Sequence, residues 1–133
     1  MIVLDASVVL KCFLKEHDSP KALKLLEAHI LGDEQIAVPE LLYYEVANSL
    51  VTKTALLEGA VITALRNLLE LEFASYSLGM EEYIRAAQLA MEANITVYDA
   101  SYTVLAERLG TDFITADGKL IDSLKDLEFV KAL

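Results

Sequence analysis

The segment Met1-Ile2-Val3-Leu4-Asp5-Ala6-Ser7 sets four consecutive apolar residues against a carboxylate. Four residues are too few to cross a membrane, but they suit a strand buried on both faces within a parallel sheet. Asp5 falls where that strand ends, and Val8 to Leu14 continue as an apolar helical run. In open α/β sheets, ligands bind just beyond the carboxyl ends of the strands. Asp5 is therefore placed as a functional group would be. Asp and Ser are also preferred helix caps, so Asp5 or Ser7 can equally serve the helix that follows.

Downstream, strands alternate with helices or helix pairs. Asp18-Ser19-Pro20 is a helix start, with apolar positions through Ile30 and Gly32 as its stop. Gln35 to Val38 reads as a strand halted by Pro39. Helices are expected from about Glu40 to Thr54 and from Leu57 to Leu71, with Phe73 to Ser77 as a short strand and Met80 to Ala93 as a helix. Asn94 to Tyr98 is ambiguous between strand and helix approach. Asp99 to Leu109 is helical, Asp112 to Thr115 a strand, Gly118 to Lys125 a short helix and Leu127 to Val130 a last strand. This order predicts an α/β fold, a mainly parallel sheet with helices on both faces, as a single domain over 1–133.

Composition narrows the function. The chain has 133 residues, is 55% hydrophobic and carries a formal net charge of −10 from 11 Lys+Arg against 21 Asp+Glu. Phosphate neutralisation by basic groups drives generic nucleic-acid binding, so this charge counts against that class. It suits a protein that holds divalent cations or docks a basic partner. The apolar surplus argues for a homodimer or a partner. A lone Cys12, no basic region before an apolar leader and no long apolar segment together point to a cytoplasmic protein with no membrane association.

Four carboxylates stand where an apolar background makes them costly. Asp5 follows the first strand, Glu45 lies within Leu41-Leu42-Tyr43-Tyr44-Glu45-Val46-Ala47, Asp99 begins a helix, and Asp117 follows the strand ending at Thr115. Asn48, Ser49 and Thr52 continue a polar stripe from Glu45 along its helix. Buried carboxylates prefer to take a proton, and several that converge repel one another unless a cation relieves them. Hard cations such as Mg²⁺ favour oxygen donors of this kind. Each Asp can also cap a helix, and Glu45 can reach solvent or pair with a Lys.

These motifs carry a resemblance. Asp5-Ala6-Ser7 after an apolar strand, Glu45 with Asn48, Tyr98-Asp99-Ala100-Ser101-Tyr102 and Thr115-Ala116-Asp117 resemble, in order, the four acidic motifs of PIN-domain ribonucleases. The likeness is greatest to VapC-type toxins of prokaryotic toxin–antitoxin pairs. It implies a PIN-like three-layer fold with five strands ordered 3-2-1-4-5 and the acidic residues gathered at one end. It also implies an endoribonuclease dependent on Mg²⁺ or Mn²⁺ that hydrolyses phosphodiester bonds in RNA, and a cognate VapB-like antitoxin. Asp5, Glu45 and Asp99 would hold one metal, with Asp117 holding a second or orienting waters. Ser7, Asn48 and Thr115 would support them. The hydrophobic helices between Glu40 and Leu71 are the expected place for dimer or antitoxin contacts.

Other residues read more quietly. His17 and His29 lack zinc-ligand spacing, Cys12 lies on an apolar helix and reads as core, and the six Tyr read as core or interface. Lys11, Lys15, Lys53, Lys119 and Arg108 are candidate phosphate contacts, and Asp122 a candidate outer acid. Two rivals stand beside the nuclease: a catalytically retired PIN module that binds or scaffolds, and a PIN nuclease of RNA processing. A haloacid-dehalogenase-type phosphatase would need Asp where Ser7 stands, and a receiver domain would need Lys after the strand ending at Thr115.

Overall fold

The computed structural model describes residues 1–133. Its elements are β1 (Ile2–Leu4), α1 (Ala6–Phe13), α2 (Ser19–Leu31), β2 (Ile36–Pro39), α3 (Leu41–Thr52), α4 (Glu58–Glu70), β3 (Ala74–Tyr76), α5 (Met80–Ala93), α6 (Val97–Leu109), β4 (Asp112–Thr115), α7 (Gly118–Ser123) and β5 (Val130–Ala132). All five strands are parallel, in the order β3-β2-β1-β4-β5. The first strand is central, and every residue of it is buried.

Strand order decides where the helices go. Right-handed crossovers are the rule for parallel strands. The chain moves one way from β1 to β3 and the other way from β3 to β5, so α1 to α4 cover one face and α5 to α7 the other. Packing agrees: α1 lies against α2 and α3, α3 against α4, and α5 against α6. Between the layers sits a core built from Val3, Leu4, Ile36, Val38, Leu42, Leu50, Leu105 and Phe113 among others. Helix α6 is the most deeply set, with Ala100 to Ala106 all buried.

Three expectations need correction and one open reading is resolved. Pro39 does not halt β2 before it; it is the last strand residue, opposite Tyr76 of the edge strand β3. Proline lacks only its N–H, so its carbonyl can still join a ladder. The Asn94 to Tyr98 segment is a helix approach: Asn94 takes the left-handed conformation (φ 53°) that closes α5, and Thr96 caps α6. Asp18 does not cap α2 through its side chain because its carboxylate pairs with Lys11 at 2.7 Å. The last strand lies further on, at Val130–Ala132. Leu127 and Phe129 pack on the core from the loop before it, which explains the apolar signal there.

Candidate active site

The parallel register builds the innermost part of the site. Leu4 pairs with Ile114, so the next residues, Asp5 and Thr115, meet side by side at the carboxyl ends of β1 and β4. Thr115 Oγ1 donates to Asp5 Oδ2 at 2.5 Å, and Ser7 Oγ donates to Asp5 Oδ1 at 2.5 Å. The Val8 amide also donates to Oδ1, so Asp5 caps α1 as well. The carboxylate at the end of the central strand is thus also the cap of the helix that follows. The hydroxyls are themselves fixed: Ser7 Oγ accepts from Ala116 N–H and Thr115 Oγ1 from Asp117 N–H. Asp5 is only 5% exposed, and burial pushes its carboxyl above the usual range against the opposing pull of those hydrogen bonds.

Glu45 enters from the second turn of α3 and is half-buried. Its Oε2 accepts a hydrogen bond from the Tyr102 hydroxyl. Burial raises its carboxyl above the usual range, and the charges of Asp99 and Asp5 raise it further, while the Tyr102 bond and Lys53 oppose. Glu45, Asp99 and Asp5 therefore share one electrostatic neighbourhood. Asp99 sits in the first turn of α6. Its Oδ2 accepts from Thr96 Oγ1 at 2.7 Å, while its own amide donates to that hydroxyl. Thr96, not Asp99, is thus the cap of α6. Asp117, exposed, caps α7 through the amides of Lys119 and Leu120. Asp99 and Asp117 line one open cavity of about 410 Å³ together with Asn94, Thr96, Lys119 and Ser123.

The donor set is entirely oxygen, which fits a hard divalent cation. No three of these acidic side chains stand in position to close on one ion together. Each carboxylate is held by hydroxyl or amide donors. Asn48 is exposed, and its side chain makes no hydrogen bond to Glu45, which leaves it a phosphate as the partner it could support. Ser49, on the same turn, is buried.

Two residues of the site escaped sequence reading as partners of the acids, Thr96 and Tyr102. Both lie at three-residue intervals from Asp99, so Thr96, Asp99 and Tyr102 share a helix face; that spacing was the available signal. The remaining candidates settle elsewhere. His29 is structural: its ring accepts from Ile36 N–H and bonds the Leu71 carbonyl. Burial pushes the Cys12 thiol up to about 11, which makes it an inert core group. Lys11 bridges Glu16 and Asp18, and Arg108 pairs with Glu82 and stacks over Tyr76. Lys119 alone of the basic candidates lines the cavity of Asp99 and Asp117.

A parallel sheet with its first strand central and carboxylates from four elements at its carboxyl edge defines a doubly wound α/β protein with an acidic site. Within that class the chain belongs to the PIN domain family, whose model matches residues 2–125. It is 30% identical to Ribonuclease VapC3 of Pyrobaculum aerophilum over 95% of this chain and 96% of that one. It is 33% identical to Ribonuclease VapC9 of Mycobacterium tuberculosis over 92% and 91% of the two chains. Among solved structures, a toxin–antitoxin complex from Klebsiella pneumoniae superposes with a TM-score of 0.72 at 15% identity, covering 98% of this chain and 96% of that one.

Proposed function

We propose that residues 1–133 act as one PIN domain, a divalent-metal-dependent endoribonuclease that is the toxin of a VapBC-type pair. The observation that carries this reading is the buried, hydroxyl-braced Asp5 in one electrostatic neighbourhood with Glu45 and Asp99. Desolvated carboxylates that repel one another are costly to keep unless a cation uses them, which argues against a retired scaffold. The ribonuclease names of the relatives point the same way.

Asp5, Glu45 and Asp99 would hold Mg²⁺ or Mn²⁺, with Asp117 across the cavity holding a second ion or orienting waters. When bound, the cation supplies an activated water and offsets charge on the phosphoryl oxygens during in-line attack. Ser7 and Thr115 hold both oxygens of Asp5 in one orientation, so little reorganisation is needed when charge builds at the phosphate. Thr96 holds one oxygen of Asp99 in the same way. Lys119 is placed to meet an RNA phosphate. An RNA substrate and a lone free cysteine agree with action in the cytoplasm.

A VapB-like antitoxin with basic residues would complement the net charge of −10. Two apolar surfaces suit protein contacts. One runs over α3, α4 and their loop through Val51, Leu56, Leu57, Ile62 and Leu69; the other follows α5 through Met80, Tyr83, Ile84 and Met91. The second forms a helical stripe opposite the face buried on α6 and suits a homodimer.

The test is cleavage of labelled single-stranded and structured RNA with Mn²⁺ or Mg²⁺, beside Asp99→Asn and a chelator control. Cleavage by the wild type alone, abolished by chelation, is expected, with the variant reduced at least about a hundredfold, as loss of a group acting in the transition state typically costs. Equal cleavage by the variant would remove Asp99 from the site.

A further inference from the structure

We infer that Tyr102 is a positioning residue that holds Glu45 in place for the metal. The inference rests on the reading of the acidic site given above and adds to the four acids a role for a residue that is not itself acidic. Glu45 comes from α3, on the opposite face of the sheet from α6, and nothing else in its hydrogen bonding ties its carboxylate inward. Asp99 and Asp5 repel it, and it is close enough to the surface to swing towards water. The Tyr102 hydroxyl opposes that swing.

Tyr102 is well suited to the task. It is 1% exposed, and its ring stacks on Phe113 of β4 with centroids 6.0 Å apart and planes 9° from parallel. Phe113 is itself fully buried beside β1. The hydroxyl therefore projects from a ring that cannot turn away, and Glu45 Oε2 is its hydrogen-bond partner. A buried phenol needs such a partner, so phenol and carboxylate fix each other. One O–H occupies Oε2 and leaves Oε1 for a cation. The same α6 turn carries Asp99, so a single helix places one acid directly and aims another from across the sheet.

Removing the hydroxyl while keeping the ring isolates this role. Tyr102→Phe keeps the stack on Phe113 and leaves no orphaned buried donor, so the fold should persist, with circular dichroism and the metal-free Tm close to wild type. Mn²⁺ binding, titrated on the protein alone by electron paramagnetic resonance of the free ion, should weaken about tenfold or more, the usual cost of losing a group that orients a ligand. The concentration of Mn²⁺ giving half-maximal RNA cleavage should rise with it. Glu45→Gln supplies the second arm. If Tyr102 acts through Glu45, adding Tyr102→Phe to Glu45→Gln should weaken Mn²⁺ binding no further. Tyr102→Phe binding Mn²⁺ as tightly as wild type would overturn the inference and leave the nuclease reading standing. Equal weakening on both backgrounds would also overturn it, since the tyrosine would then act by another route. A wild type that binds no Mn²⁺ would overturn the reading of the site, and this inference with it.

Discussion

At the scale of single residues, the site stores an electrostatic burden that a cation can lift. Burial raises the carboxyls of Asp5 and Glu45, so the folded chain holds these protons to higher pH than the unfolded chain does. Each group's stabilising share is fully present below its ordinary value, 3.8 for Asp5 and 4.5 for Glu45. That share is lost as pH rises through the folded value. Asp5→Asn removes the burden at one position. Without metal, the Tm of this variant relative to wild type should climb as pH is taken from about 4 to 7, a window set by those carboxylate values. Saturating Mn²⁺ should reverse the order at neutral pH, because only the wild type gains binding free energy. Thermal melts at several pH values, with and without Mn²⁺, check both halves. A Tm difference that stays flat with pH would mean that Asp5 carries no such cost.

At the scale of elements, a histidine ties a strand of the sheet to two helices that cover it. His29 near the end of α2 accepts from Ile36 N–H at the start of β2, bonds the Leu71 carbonyl after α4, and packs edge-on to Phe73. His29→Leu would fill the space but leave a backbone N–H and a backbone carbonyl without these partners. A loss of about 1–3 kcal/mol is expected from denaturant unfolding, with metal binding unaltered; an unchanged midpoint would mean water replaces the ring. This latch also marks the limit of what the chain reveals when read in order. Asp5 and Asp117 were legible because each follows an apolar strand, and strand ends in a parallel sheet share one edge; Glu45 stood out as a lone carboxylate inside an apolar helix, and Asp99 as an acid at a helix start. The pairs Glu45–Tyr102 and His29–Leu71 were not legible, since their partners are 57 and 42 residues apart and only packing brings them together. The displaced last strand has a similar cause. Apolar Leu127 and Phe129 announce burial, and burial alone does not say which residues join the ladder.

At the scale of the whole molecule, a charge of −10 coexists with long exposed apolar stripes. Met91 on α5 is 85% exposed, a position that a lone soluble domain has little reason to leave apolar. If α5 is the dimer face, Ile84→Glu combined with Met91→Glu should halve the mass seen by light scattering while leaving Mn²⁺ binding intact; an unchanged mass would move the interface elsewhere. The topology also bears on when the molecule can first act. The bond from Thr115 to Asp5 joins residues 110 apart in the chain, and β1 lacks one of its two neighbours until β4 arrives. A nascent chain on the ribosome thus carries its first carboxylate without the Thr115 brace until β4 has been made. Catalytic competence would arrive late and all at once, when residues 112–117 emerge. The machinery translating a ribonuclease would be spared its activity until that stretch is free to fold.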